Sequence, residues 1–304
     1  MAWSQKYDFD VTRVPYQFNL HGLSDLQLGS ESTSLSIIKK RIKEICDDPN
    51  DCGIIIPGDI EDSDRPTTRT MRKASFAGRE EVMDTDAKHY RRYLDDEVIP
   101  LLLPLQQTKY GIMGVLAGHH YYNLSSAQNS AQYICMELTR LSKKPVHYLG
   151  EMSSFLDFRF KDLRSTSRPA GIRVVGHLQH GAGGGQTKAA SLNKIEQAFQ
   201  SFDADFYIRA HSCQRIGSMT DRLHPKATND KSGNPEMLHK TVAYLNLGAA
   251  TRGYEMTKGR PSYIESEMMR PVTCGWGSIS FIIRRALKDE DTSQNLKCEL
   301  RVTV

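Results

Sequence analysis

The stretch GIIIPGD, residues 53–59, decides how this chain is read. Three isoleucines lie between Gly53 and Pro57, a short apolar run with a breaker at each end, which is the pattern of a buried strand. Asp59 comes two residues after the run, where such a strand gives way to a loop. In open α/β sheets, ligands gather outside the carboxyl ends of the strands. Working outward, the same arrangement recurs. Asp25 follows YQFNLHGLS (16–24), and His119 and His120 follow GIMGVLAG (111–118). His180 follows GIRVVGHLQ (171–179), and His211 follows DFYIRA (205–210). Five strand ends that carry metal-binding residue types point to one built metal site.

The segments between these runs set the fold class. A helix is expected over 34–46, with Leu35, Ile38, Ile42 and Ile45 on one face. Further helices are expected at 129–141 and 192–202, alternating with strands at 53–57, 111–117, 146–149, 155–160, 171–176 and 206–210. Such alternation is the signature of parallel βαβ units. Residues 61–107 are too long for an ordinary strand-to-helix connection, so they are a charged insertion: a loop (RPTTRTMRKASFAGREE) and then a helical part (KHYRRYLDDEVIPLLLPL). Past His211 the helical pattern stops. Residues 241–247, 278–284 and 297–304 read as strands, and HPKATNDKSGNPEM (224–237) as a polar loop. The 304 residues are expected to form a single domain.

Bulk composition narrows the function classes. A net charge of +4 admits an anionic substrate but is far from the basic stripe of a dedicated nucleic-acid binder. The longest apolar stretch, 98–105, is about ten residues short of a membrane span and contains two prolines. The opening MAWSQKYDFD has no basic-then-apolar signal layout. Cys46, Cys52, Cys135, Cys213, Cys274 and Cys298 show no C-x-x-C pair and no framework spacing, as expected of reduced thiols. The expectation is a soluble cytoplasmic protein with no membrane partner. Its oligomeric state is left open.

Two divalent ions a few Å apart can share a carboxylate, activate a bound water and clamp phosphoryl oxygens. That chemistry needs a bridging Asp, imidazole ligands, and a His to assist the leaving group. With these needs in view, LSDLQLGS resembles the S-D-x-H-x-G opening of the calcineurin-like metallophosphoesterases, and PGDIED resembles their G-D-x-x-D/E block. LAGHHYY is similar to G-N-H-D/E, HLQHGAGGG to their strand-end His, and IRAHSCQR to G-H-x-H. LNLGAATRGY resembles the closing segment of small phage and bacterial members, which are distantly like the SbcD-type repair nucleases.

The resemblance implies a four-layer αββα sandwich of two mixed sheets, with two divalent ions, manganese or zinc, as cofactors. Asp59 would bridge the ions and Asp25 would bind the first. His180 and His211 would bind the second, with His119 in the position of the usual Asn ligand. His120 would be the catalytic His that assists departure of the alcohol. The chain departs from the pattern at Gln27 and Cys213, which stand where the family has the two imidazoles of the first ion. Three readings of that first site stand side by side: a site built from Asp25, Gln27, Asp59 and a Cys213 thiolate, a weak site filled only with substrate, or an empty one.

The residues have plainer readings too. An Asp after a buried run often caps a helix, a small buried thiol is ordinary core, and Gln27 serves equally well as a hydrogen-bonding filler. His177 lies three residues before His180, so an extended chain points it to the opposite face, in a structural role. The glycines of 181–185 either cradle a phosphate or let the chain pass close to the site. Arg65 and Arg69, with Arg72 and Lys73, are candidate contacts to a phosphate or a nucleic-acid backbone. Tyr121 and Tyr122 stack on a base or pack at the rim. The reading is a phosphoesterase acting on a phosphodiester, with nucleotides and nucleic acid as candidate substrates. In a phage-encoded protein the setting would be the host cytoplasm. The alternative is a catalytically impaired binding or scaffold protein on the same fold.

Overall fold

A computed structural model describes residues 4–30, 32–63, 80–163, 170–182, 187–225, 237–251, 274–286 and 296–304. Among these residues, twelve strands form two six-stranded mixed sheets. The first contains β1 (Ser4–Val11), β6 (Ser153–Asp162), β7 (Ala170–Gln179), β8 (Phe206–Arg209), β9 (Ile216–Pro225) and β10 (Met237–Asn246), in the order β1-β6-β7-β8-β10-β9. The second contains β2 (Tyr16–Gly22), β3 (Asp51–Pro57), β4 (Ile112–Leu116), β5 (His147–Tyr148), β11 (Ser278–Arg285) and β12 (Leu296–Thr303), in the order β12-β11-β2-β3-β4-β5. Strands β2, β3, β4 and β5 run parallel, as do β7, β8 and β10. The carboxyl ends of each parallel set therefore lie along one rim of their sheet.

The inner faces meet in an aromatic core. Phe9, Phe158 and Phe206 of the first sheet and Phe18 and Phe281 of the second are fully buried. Their rings meet at tilted and edge-on angles, with Phe9 and Phe18 centroids 4.6 Å apart and Phe158 and Phe281 5.4 Å apart. Such pairs add roughly 0.5–1.5 kcal/mol each beyond area burial. On the outside, α1 (Leu35–Cys46) buries Ile38, Ile42 and Ile45, and α3 (Ser130–Ser142) lies on β4 and β5. Helix α4 (Lys188–Ser201) covers the other sheet by packing Ile195 and Ala198 on Tyr207, Val242 and Tyr244. The layering is α/β/β/α, as expected.

The insertion does contain a helix, α2 (Glu80–Tyr93), which continues through a π turn at Leu94–Val98 into the short turns at Ile99–Leu102 and Leu103–Gln107. Its first part lies outside the described residues. Leu35 belongs to the apolar face of α1 by spacing yet is 49% exposed, since it starts the helix beyond the edge of the packed layer. Strands β1 and β9 were not expected. Among the described residues no helix is long and apolar enough to cross a membrane.

His177 takes the structural role expected of it. It is 2% exposed and stacks on Phe202 with centroids 4.3 Å apart. Burial depresses its pKa from 6.5 to about 4. In the unfolded chain this imidazole takes up a proton near pH 6.5, so its contribution is complete above that value and is lost as pH falls towards 4. The loss is on the order of 3 kcal/mol. His177→Leu is expected to narrow the gap between urea midpoints measured at pH 7 and pH 4.5. An unchanged gap would refute this account.

A candidate metal centre at the strand ends

The rim of the two sheets is built on an unusual backbone. Six described non-glycine residues have positive φ; five of them are Asp25, Gln27, Asp59, His211 and Cys213, and the sixth, Lys143, caps α3. Left-handed conformations of this kind cost of order 1–3 kcal/mol each and gather at functional sites. Asp25 and Gln27 follow β2, Asp59 follows β3, and His211 and Cys213 follow β8. Two glycines complete the approach. A Cβ on Gly58 would lie 2.6 Å from His180 Nδ1, and one on Gly118 would collide with the Asp59 carboxylate.

Four side chains converge: Asp59, His119, His180 and His211 offer donor atoms that all lie within 4.8 Å of one another. Three imidazoles and a carboxylate are the donor set of a borderline divalent ion such as zinc. Asp59 and His180 are buried at the back, while His119 is exposed and His211 half-buried at the front. The His180 ring is fixed from behind, because its Nδ1–H donates to the Pro57 carbonyl at 2.7 Å. Its Nε2 is buried without a hydrogen-bond partner and faces Asp59 Oδ2 at 3.1 Å. Two lone pairs directed at one another fit a cation between them, and metal-bound histidines characteristically donate their other N–H to a carbonyl. On the far side, Asp59 Oδ1 accepts the backbone N–H groups of His119 at 2.6 Å and His120 at 3.1 Å.

The electrostatics match this donor set. Burial would raise the Asp59 pKa, but the His180 imidazole 3.1 Å away, the charge of His120 and the His119 backbone N–H hold it well below the usual carboxylate range. Burial, followed by the neighbouring imidazoles, lowers His119 and brings His211 down to about 4. Both rings are therefore neutral, the form that binds metal. His120 is different. Its Nδ1–H donates to Asp62 at 2.9 Å, and that bond raises its pKa to about 8. Its Nε2 turns towards the centre, 4.0 Å from Asp59 Oδ2.

The residues expected at the other ion, Asp25, Gln27 and Cys213, have partners of their own. Asp25 is buried and accepts the His211 backbone N–H at 3.1 Å; burial is the main reason its pKa is raised to about 6. The Gln27 carbonyl oxygen accepts from Thr251 at 2.9 Å, as a hydrogen-bonding filler would. The Cys213 thiol is buried, lies 3.7 Å from the His211 carbonyl, and has its pKa pushed up by burial. Arg65, Arg69, Arg72 and Lys73 lie outside the described residues, as do residues 183–185 of the glycine turn. Tyr122 packs at the rim, stacked on Tyr90 with centroids 4.3 Å apart.

Sequence reasoning missed Asp62, Glu61 and the Pro57 carbonyl. Glu61 is buried, bonded by the Ser130 hydroxyl, and raised by burial to about 7. The signal for Asp62 was in the chain, since it closes the same block as Asp59; nothing local marks the other two.

The class these features define is an α/β sandwich with a candidate divalent-metal centre at its strand ends. No protein-family model matches the chain, and no curated protein is significantly similar to it. Among solved structures, it is similar to a conserved uncharacterized protein from Streptococcus pneumoniae TIGR4, a predicted phosphoesterase, with 11% identity and a TM-score of 0.31 over 94% of this chain and 98% of that one. A second is GAP50, the anchor in the inner membrane complex of Plasmodium, with 10% identity and a TM-score of 0.36 over 93% and 90% of the two chains.

Proposed function

We propose that this protein is a metal-dependent phosphoesterase of the calcineurin-like type, acting on a phosphodiester of the nucleotide or nucleic-acid class. The observation that carries the reading is the unsatisfied His180 Nε2 facing Asp59 Oδ2 inside a set of three imidazoles and a carboxylate. Asp59, His119, His180 and His211 would hold a divalent ion, which would supply water activation and charge neutralisation for a phosphoryl group. The chain's own groups do the rest. His119 and His211 leave the front open, so a phosphate can approach from solvent. Asp62 holds the proton-bearing face of His120 and keeps the imidazole charged near neutral pH. Its Nε2–H, turned towards the centre, is placed to protonate the departing alcohol oxygen.

The quartet is the principal site, and manganese or zinc is its ion. The other ion, on Asp25 and Asp59, would be the weaker one, because Gln27 and Cys213 are engaged elsewhere. The six cysteines show no C-x-x-C pair and no framework spacing, which favours a cytoplasmic setting. Purified protein given manganese should hydrolyse bis(p-nitrophenyl) phosphate, and chelation should stop it. A protein that binds the ion yet leaves the diester intact would favour the scaffold reading, for which the diverted Gln27 and Cys213 are the supporting observation.

A further inference from the structure

Next to His120 lies a second cavity that the metal chemistry does not use. It measures about 360 Å³, and its lining includes Tyr90, Tyr93 and Tyr122 with the polar Asp62, Ser63 and Asp86. Ligand sites run from roughly 300 to 1,000 Å³, so this one suits a single flat ring system better than a chain of residues. Asp62 belongs to both places: it lines the cavity, and its carboxylate accepts the Nδ1–H of His120. The cavity therefore adjoins the group placed to protonate the leaving oxygen.

The walls are aromatic and carry polar tips. Tyr90 stacks on Tyr122 at an interplanar angle of 17°, and its ring lies 5.7 Å from that of Tyr93. The Tyr90 hydroxyl is buried without a full hydrogen bond, with Ser63 beside it in the same cavity. Buried phenols usually find a partner. Here the hydroxyl has capacity left for the polar edge that a ligand would bring. The floor is kept clear by Gly29 at φ +98°, where a Cβ would come within 3.3 Å of the Tyr93 hydroxyl.

We propose that this cavity is the subsite for the leaving group and that it takes the nucleobase of a nucleoside alcohol. The proposal rests on the phosphoesterase reading for its chemical sense, though the subsite can be tested by binding alone. Stacking tolerates any base because every base has a π face. The Tyr90 hydroxyl and the Asp62 carboxylate would add contacts at the base edge.

The test is calorimetric titration of adenosine, with ribose as the base-free control, onto the manganese-loaded protein, and inhibition of bis(p-nitrophenyl) phosphate hydrolysis by both compounds. Adenosine should bind and compete; ribose should do neither. Tyr90→Leu should weaken adenosine and raise the diester KM by roughly tenfold, with kcat held within about twofold. Tyr90→Phe, which keeps the ring, should retain most of the affinity, and thermal melts check that both variants are folded. An active enzyme that adenosine neither binds nor inhibits would overturn the subsite. So would adenosine affinity that a folded Tyr90→Leu leaves unchanged. If the protein hydrolyses nothing but loses adenosine on Tyr90→Leu, the phosphoesterase reading fails and the subsite stands.

Discussion

Asp59→Asn is expected to reduce phosphodiester hydrolysis by at least roughly a thousandfold while leaving the protein folded. The reason lies in how the carboxylate is used. Its Oδ1 accepts two backbone N–H groups, from His119 and His120, and an amide oxygen can accept the same two. The amide nitrogen must then occupy the place of Oδ2, opposite the unsatisfied His180 Nε2 at 3.1 Å. An N–H donated into that lone pair satisfies both groups and fills the space between them. The variant thus replaces a cation site with a hydrogen bond. The fold should be retained, because the amide keeps both backbone bonds and gives His180 Nε2 a donor. Hydrolysis, a thermal melt and metal content by mass spectrometry read the three consequences separately. A folded variant that retained activity would show that Asp59 is not the anchor of the centre.

Much of this was legible in the chain because strand ends and ligands coincide. GIIIPGD announces β3 through its apolar run and its breakers, and the other parallel strands are marked in the same way. Two strands escaped for different reasons. In β1 the signal was present: Tyr7, Phe9 and Val11 turn inward on alternate residues, interrupted by Asp8 and Asp10. Strand β9 gives no such signal, since Ser218 and Met219 are exposed in succession and the strand is held by its antiparallel ladder with β10. Within the site, residue types could be read but their engagement could not. Gln27 is equally plausible as a ligand or a filler until Thr251, more than two hundred residues later, is seen to hold it. The same is true of His180, whose tautomer depends on the Pro57 carbonyl of a different sheet. The left-handed backbone at Asp25, Gln27, Asp59, His211 and Cys213 had no sequence signal apart from the tolerance of Asp and His for that region. Gln27 and Cys213 keep this conformation even though neither joins the quartet.

His180→Ala is expected to weaken binding of the quartet's divalent ion by more than the roughly 10–100-fold that outer-shell changes cost. His180 is the one imidazole of the quartet that is both fully buried and oriented by a hydrogen bond from behind, so it pre-organises the site before any ion arrives. The remaining imidazoles, His119 and His211, stand on the open side and have no such brace from Pro57. Removing His180 also leaves the Asp59 charge buried without the neighbour that does most to hold its pKa down. The carboxylate should then titrate higher and offer a proton where a lone pair was needed. The comparison that decides the point is with Gln27→Ala and Cys213→Ser. If the quartet is the principal site, calorimetric titration with zinc or manganese will show the first binding event unchanged in both and lost in His180→Ala. Cobalt provides an independent view: a thiolate ligand adds an intense near-ultraviolet charge-transfer band, which should be absent from the wild type. Should Cys213→Ser abolish the first event, or should that band appear, the ion would be held by the other set, with Cys213 as a true ligand and the buried thiol ionised by the metal.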